Sequence, residues 1–258
     1  MTAPAKCPVT PGVLQQLTAR GRPDQEYYLY VPPGFVAGAG CRLLVTMHGH
    51  DREAMGRIEH FAEFADQQNF IVLAPHFPPS IRFQLLGVGS DRADLRLLDL
   101  VDEVAEEFAL DGSQFDLFGY SGGAQFSHRF LYVWPNRLRS VVVGAPGTVT
   151  LPDERERWPV GVRNLAKVAG ARFDLDAVRQ PRIMLLVGTE DLILEGFNQH
   201  PWAMRTGATR LGRARTLHAA WLRAGIEHEY AEIEGSAHGV DPMIVERVSR
   251  FLCSQTDS

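Results

Sequence analysis

The chain of 258 residues has few of the features that mark secreted, membrane-spanning or nucleic-acid-binding proteins. Its cysteines, Cys7, Cys41 and Cys253, are far apart and odd in number, so they match neither a disulfide framework nor a CxxC metal clip. No apolar run approaches the roughly 18 residues of a membrane span, and residues 1–12 lack the apolar core of a signal peptide. The net charge is -5 and no basic cluster stands out. These absences predict a cytoplasmic protein with no nucleic-acid or membrane partner.

The remaining composition is an ordinary globular mixture, with 45% hydrophobic and 22% charged residues. A domain of this length buries most of its unfolded surface, so its stability requires neither disulfides nor a structural metal. The sequence contains no internal repeat and no low-complexity segment. Because α/β folds of this size are routinely built around one sheet, we expect a single domain over residues 1–258.

Short apolar runs alternate with longer segments of helical period, which is typical of a mostly parallel sheet covered by helices. Buried strands are predicted for RLLVTM (42–47), FIVLA (70–74), FDLFGY (115–120), SVVVGA (140–145) and RIMLLVG (182–188). Weaker strands near 13–17 and 27–31 predict an antiparallel edge hairpin, and HEYAEI (228–233) predicts a last strand. Helices are expected at 53–68, from a cap at Ser90 or Asp91 to 108, and at 124–134, 210–224 and 240–253. The predicted fold class is therefore α/β.

The most informative stretch is LFGYSGGAQF (117–126), which holds the pattern G-x-S-x-G between a predicted strand and a predicted helix. At such a turn the serine backbone is strained so that the hydroxyl projects from the strand end, and the flanking positions must be small. The following helix directs free N–H groups and a positive dipole end toward any oxyanion formed there. Ser121 is the predicted nucleophile and Tyr120 a candidate substrate contact. The alternative is a glycine-rich structural turn.

A serine hydroxyl is a poor nucleophile unless a histidine takes its proton, and nine histidines are present. His238 lies in GSAHGV, after the last predicted strand and before the last helix, where a loop can reach back across the sheet. It is the predicted base, with a solvated loop histidine as the alternative. The other candidates lie in predicted helices (His60, His128, His218), in a strand (His228), or in the loop beside Pro201 and Trp202 (His200).

The histidine needs an acidic partner, and LLVGTEDLI ends a predicted strand with two acidic residues. Ser121, Asp191 and His238 follow one another in the Ser–Asp–His order of one particular hydrolase architecture. Glu190 is the direct competitor, and either side chain could instead cap a helix. Asp191 is favoured because a short side chain on a strand-end loop has the better geometry.

The stretch MHGHDRE follows the strand at 42–47, where a second oxyanion donor is expected. Gly49 lets the backbone turn and expose the N–H of His50, which with the N–H of Gly122 would form an oxyanion hole. Alternatively, His48, His50 and Asp51 could bind a metal, but this spacing lacks the further ligands of a hydrolytic metal cluster. No metal and no cofactor are expected.

The longest irregular stretch, residues 147–181, separates two predicted core strands and is too long for a simple connection. It is a candidate lid inserted within the domain. Trp158 and Phe173 in this stretch, together with Trp202 farther along, are candidate substrate-binding residues. Ordinary packing of these aromatic side chains is the alternative.

Together these motifs resemble the α/β-hydrolase superfamily, and within it esterases of the polyhydroxybutyrate-depolymerase and feruloyl-esterase type. YYLYVPPGF and LLVTMHGHDRE look like the edge strands, third strand and oxyanion loop of that group. FDLFGYSGGAQFSHRF looks like its elbow and helix, and VGTEDLI and EGSAHG like its acid and histidine loops. The resemblance extends from about Tyr27 to the end. It implies a mostly parallel sheet of about eight strands with helices on both faces and a short lid.

Carried onto this sequence, the resemblance makes Ser121 the nucleophile, His238 the base, Asp191 the acid, and His50 and Gly122 the oxyanion donors. Members of this group are typically secreted and often disulfide-linked, whereas this chain lacks both signals, and residues 147–181 match no particular cap. The resemblance implies a serine hydrolase that cleaves a small or medium carboxylic ester through an acyl-enzyme, and the two missing signals lead us to expect an intracellular one. Two alternatives remain: a thioesterase or acyltransferase with the same triad, and a non-catalytic ligand-binding protein on a hydrolase fold.

Overall fold

The computed structural model describes residues 9–38, 40–88, 91–193 and 201–254, so Cys7, Ser90 and His200 lie outside the described residues. The strands are β1 (Gln15–Thr18), β2 (Glu26–Tyr30), β3 (Arg42–Met47), β4 (Phe70–His76), β5 (Gly87–Val88), β6 (Asp91–Arg92), β7 (Phe115–Tyr120), β8 (Leu138–Gly144), β9 (Arg182–Gly188) and β10 (Glu229–Ile233). The helices are α1 (Ala54–Glu59), α2 (Ala62–Gln68), α3 (Ala93–Phe108), α4 (Gly122–Val133), α5 (Leu165–Ala169), α6 (Leu175–Val178), α7 (Pro201–Met204), α8 (Arg210–Arg223) and α9 (Pro242–Cys253). Short 3-10 helices cover Phe83–Leu85 and Pro135–Arg137.

Eight of the described strands form one sheet in the order β1-β2-β4-β3-β7-β8-β9-β10. The β1–β2 and β2–β4 pairs are antiparallel, and the other pairs of this sheet are parallel. The remaining strands, β5 and β6, form a separate two-stranded ribbon. This arrangement confirms the predicted α/β fold class, its mostly parallel sheet and its antiparallel edge hairpin.

Both faces of the central strands are covered. Every residue of β7 is buried, and so is every residue of β9 after Arg182. A strand with one solvated face would alternate between buried and exposed positions, whereas strands of a parallel sheet are apolar throughout. Helix α4 packs on β3, β7 and β8, so the residue that precedes α4 lies at the centre of the sheet edge.

The predicted helix over 53–68 is divided into α1 and α2. The division occurs at Phe61, which leaves helical geometry at φ -117° and ψ 5°. Its ring is fully buried and meets Phe118 of β7 edge-on, with the ring centroids 5.0 Å apart. Helical periodicity alone does not predict this break, because it follows from burying one large ring against a neighbouring strand.

Residues 147–181 form the crossover connection between two neighbouring parallel strands, β8 and β9. A parallel pair needs such a connection, because the chain must return from the end of one strand to the start of the next. The buried Arg129 of α4 donates hydrogen bonds to the hydroxyls of Thr148 (3.0 Å) and Thr150 (2.8 Å). Farther along, α6 contacts the 3-10 helix Pro135–Arg137, beyond the far end of α4. Part of this length is thus explained by the crossover, and a lid within residues 147–181 stays a prediction.

Across the described part of the chain, none of the helices combines the length and the hydrophobicity that crossing a bilayer requires.

Candidate active site

Ser121 stands between the end of β7 and the start of α4, in a strained backbone conformation. Its φ is 55° and its ψ is -111°, outside the regions that a non-glycine residue normally occupies. The Ser121 N–H donates to the carbonyl of Gly144 at the end of β8 (2.8 Å), which holds the turn. Such strain costs on the order of 1–3 kcal/mol and persists only where the surrounding structure enforces it. The turn therefore aims the serine side chain away from the strand end.

The tightness of this turn explains the glycine two residues before the serine. A Cβ atom on Gly119 would lie 2.3 Å from the carbonyl oxygen of Gly123 and 2.3 Å from Oγ of Ser127. Both distances are far below any real contact, so β7 and α4 could not approach each other in this way with a larger residue. The small residues of the G-x-S-x-G pattern are thus a steric requirement of the strand–helix junction.

His238 lies beside the serine, in the loop between β10 and α9. Its Nε2 is 3.1 Å from Oγ of Ser121, and its Nδ1 is 2.7 Å from Oδ2 of Asp191. A carboxylate accepts hydrogen bonds, so Nδ1 carries the proton and Nε2 is left to accept the serine proton. The histidine side chain is 23% exposed, whereas Asp191 is fully buried. The three side chains form one hydrogen-bonded line from a buried carboxylate to the serine.

The loop that carries His238 is held by contacts with Tyr120 and with Asp241, the residue that caps α9. The ring of Tyr120 lies 5.4 Å from the imidazole of His238, and its hydroxyl accepts a long hydrogen bond from the N–H of Gly239 (3.5 Å). The Ser236 hydroxyl donates to Asp241 (2.6 Å), and Asp241 caps α9 by accepting from the N–H of Ile244. Tyr120, a candidate substrate contact in the sequence, is only 1% exposed and packs beneath His238 instead.

Asp191, and not Glu190, reaches the histidine. Glu190 is exposed, and its backbone N–H donates to the carbonyl of Ser236 (3.0 Å). The other oxygen of Asp191, Oδ1, accepts a hydrogen bond from Nη1 of Arg210 (3.1 Å), a buried residue at the start of α8. Sequence analysis does not single out Arg210, because a cation in a helix usually marks a solvated face.

The loop after β3 brings the backbone of His50 next to the start of α4. A Cβ atom on Gly122 would lie 2.9 Å from the backbone nitrogen of His50. The first N–H groups of a helix have no acceptor within the helix, so the N–H of Gly122 is available to an external oxygen. The two backbone donors predicted for the oxyanion hole are therefore close neighbours.

His48 holds this loop in place. Its Nδ1 donates to the carbonyl of Gly49 (2.8 Å), and its Nε2 accepts from the N–H of Phe77 after β4 (3.1 Å). Burial lowers the pKa of His48 to about 4, so the ring is neutral at pH 7. Both ring nitrogens are thus engaged in structural bonds, which argues against the alternative of a metal site with His50 and Asp51. The described residues contain no group of three or more His, Cys, Asp or Glu side chains arranged to hold a metal ion.

Comparison with solved structures finds the same architecture in several hydrolases. Poly(aspartic acid) hydrolase-1 from Sphingomonas sp. KT-1 aligns with a TM-score of 0.77 and 20% identity, over 94% of this chain and 98% of that one. The poly(3-hydroxybutyrate) depolymerase from Bordetella parapertussis aligns with a TM-score of 0.77 and 21% identity, over 93% and 90%. The chain has the α/β-hydrolase fold. An S-formylglutathione hydrolase from Agrobacterium tumefaciens shares it at a TM-score of 0.62 and 16% identity, over 92% and 93%. No protein-family model and no curated protein matches the sequence.

Within this α/β-hydrolase fold, the remaining histidines serve other contacts. Burial lowers the pKa of His128 well below its usual value, and its ring bridges the carbonyl of Ala124 and the N–H of Thr150. His218 and His228 hydrogen-bond to each other (2.8 Å), and His60 is exposed after α1. Among the described histidines, His238 is therefore the one that meets Ser121.

The aromatic residues predicted to bind substrate lie in different places of the α/β-hydrolase fold. Phe173 meets Tyr132 edge-on, with the ring centroids 5.4 Å apart. Tyr132 lies about 16 Å along α4 from Ser121 at 1.5 Å per residue, so Phe173 belongs to the core beside the far end of that helix. Trp158 is half-buried with the guanidinium of Arg129 5.6 Å from its ring, and Trp202 is half-buried in α7. For Trp158 and Trp202, substrate contact stays a prediction.

Phe173→Ala should reduce stability without changing substrate preference. We expect the free energy of unfolding to fall by about 1–3 kcal/mol, less than for a fully buried phenylalanine because the ring is half-buried. Denaturant unfolding measures this loss, and a series of esters of increasing acyl length measures preference. A change in the preferred acyl length would instead indicate that Phe173 contacts the substrate.

Proposed function

We propose that the protein is a serine hydrolase that cleaves a small or medium carboxylic ester through an acyl-enzyme. The observation that carries this proposal is the line Ser121–His238–Asp191, with contacts of 3.1 Å and 2.7 Å, at a strained strand–helix turn. A nucleophile, a base and an acid in this order are what acyl transfer through a serine requires. The fold is compatible with this chemistry, but the side-chain geometry carries the argument.

In the first half of the reaction, Oγ of Ser121 attacks the carbonyl carbon of the ester while Nε2 of His238 takes its proton. Asp191 holds the Nδ1–H and stabilises the imidazolium through its charge. The negative oxygen of the tetrahedral intermediate is placed at the N–H groups of His50 and Gly122, which act as fixed donors at the place where charge develops. Collapse of the intermediate breaks the ester C–O bond, and His238 returns the proton to the leaving alcohol.

In the second half, water replaces the alcohol. His238 removes a proton from the water as it attacks the acyl-enzyme carbonyl, and the same two N–H groups receive the second oxyanion. The acid is released when the bond to Oγ breaks and His238 gives its proton back to Ser121. These steps need no metal or cofactor, because each proton is carried by His238.

A thioester is the second candidate substrate. Oγ of Ser121 could attack a thioester carbonyl by the same steps. One structural neighbour is described as an S-formylglutathione hydrolase. Another neighbour is described as a poly(3-hydroxybutyrate) depolymerase, and this similarity favours an oxygen ester as the substrate of this chain. Rates on a matched ester and thioester of the same acyl group distinguish the two, and added alcohol or amine acceptors reveal acyl transfer. A purely ligand-binding role is disfavoured, because binding alone needs no connected serine, histidine and aspartate.

Covalent labelling by a fluorophosphonate tests the proposed function. We expect the native protein to be labelled at Ser121, as located by peptide mass spectrometry, and heat-denatured protein to remain unlabelled because activation needs the folded triad. A panel of esters of increasing acyl length then identifies the substrate class, with and without a chelator. Labelling at another serine, or activity that disappears with the chelator and returns with zinc, would refute the proposal.

A further inference from the structure

The carboxylate of Asp191, the acid of the candidate triad, accepts hydrogen bonds from two side chains. Oδ2 of Asp191 faces Nδ1 of His238 at 2.7 Å, and Oδ1 faces Nη1 of Arg210 at 3.1 Å. The Asp191 side chain is fully buried and that of Arg210 is 9% exposed, so solvent screens this ion pair weakly. The carboxylate that faces the proposed base is thus one half of a buried ion pair.

The local structure holds Arg210 firmly in this position. Arg210 is the first residue of α8, and the preceding Thr209 caps the helix by accepting a hydrogen bond from the N–H of Gly212 (3.0 Å). One turn later, the buried Arg213 donates to the carbonyls of Gly207 and Gly147 and so fixes the helix end against the loop after β8. The guanidinium therefore meets Asp191 from a rigid element.

Two electrostatic effects follow from this contact. A positive charge beside a buried carboxylate stabilises the charged form of that carboxylate, and Arg210 is the cation in contact with Asp191. The same positive charge opposes the addition of a proton to the Asp191–His238 pair, whichever of the two residues takes it. A base that is already protonated cannot accept the serine proton.

We propose that Arg210 is a positioning residue that holds the Asp191 carboxylate and, through its charge, sets the lowest pH at which His238 acts as a base. The proposal rests on the proposed function for its catalytic meaning. Arg210 bonds Oδ1 of Asp191, whereas His238 bonds Oδ2, so we expect Arg210 to affect kcat and the pH profile and to leave KM nearly unchanged.

The decisive experiment compares Arg210→Gln with Arg210→Lys. Without the positive charge, the acid limb of the kcat/KM profile of Arg210→Gln should move to higher pH by about one to two units. Arg210→Lys keeps the charge but loses the planar guanidinium, so its acid limb should stay within a few tenths of the wild-type position. Both variants should lose kcat, up to about a hundredfold, because the carboxylate is less well placed.

Arg215→Gln provides the control for removing a cation from the same helix. Arg215 is exposed and pairs with Glu232 (2.8 Å), so we expect its profile to match that of the wild type. If Arg210→Gln does not fold, Arg210→Met replaces it as the uncharged variant. An unmoved acid limb in the uncharged variant, or an equal movement in Arg210→Lys, would overturn the proposal.

A second measurement tests the effect of Arg210 on His238 independently of the proposed function. Histidine-selective 15N NMR follows the titration of His238, assigned by the signal lost in His238→Gln, and needs no substrate. We expect the His238 titration in Arg210→Gln to move in the same direction as the kinetic acid limb. If the wild type neither cleaves esters nor reacts with fluorophosphonate, the proposed function fails while the NMR comparison still decides the effect of Arg210.

Discussion

Ser121→Ala is expected to lower kcat for ester hydrolysis by about four to six orders of magnitude, because in the proposed function Ser121 is the group that forms the acyl-enzyme. The loss is this large because serine and histidine act as one unit, so removing either member removes their joint contribution. We expect the residual rate to come from substrate binding and from the N–H groups of His50 and Gly122, the proposed oxyanion donors. The measurement is kcat on the best ester of the acyl-length panel.

The fold should survive this substitution. Ser121 makes its structural bond through the backbone N–H to Gly144, which alanine retains, and the side chain is 8% exposed. Circular dichroism and the melting temperature should therefore match those of the wild type. Ser127→Ala is a useful comparison, because the Ser127 hydroxyl donates to the carbonyl of Gly123 (3.0 Å) inside the same helix and has no place in the proposed chemistry. Fluorophosphonate labelling retained in Ser121→Ala would refute its role as nucleophile.

The sheet and the candidate triad are predictable from the sequence for definite physical reasons. Strands such as RIMLLVG are apolar throughout because helices cover both faces of a parallel sheet. Ser121, Asp191 and His238 each follow a recognisable strand, and the carboxyl ends of parallel strands lie at one edge of the sheet. Position after a strand therefore brings these residues to one edge, where the structure also places them.

Other features depend on contacts between distant segments, which periodicity and motifs do not encode. The break at Phe61 depends on the space beside Phe118, and the partnership of Arg210 with Asp191 spans 19 residues and a change of element. The connection 147–181 joins two parallel neighbours, β8 and β9, so part of its length is the crossover itself, which motifs and periodicity do not reveal.

The choice between Asp191 and Glu190 gives the second large effect, and the contact with Arg210 sharpens it. In Asp191→Asn, the amide oxygen should face the donors of Arg210, because an NH₂ group there would meet another donor. The amide NH₂ then faces Nδ1 of His238, which must become an acceptor. The proton consequently moves to Nε2, the nitrogen that has to accept the serine proton.

We therefore expect Asp191→Asn to lower kcat by about 10⁴, the size of loss typical of a serine protease in which the wrong histidine tautomer is stabilised. Glu190→Gln should lose less than tenfold, because Glu190 is exposed and contacts the histidine loop through its backbone N–H, which the substitution retains. The two variants remove the same charge from adjacent positions, so each is the matched control for the other. The measurement is kcat on one ester at the pH optimum of the wild type. A larger loss in Glu190→Gln would make Glu190 the acid, and two fully active variants would place the acid on another strand.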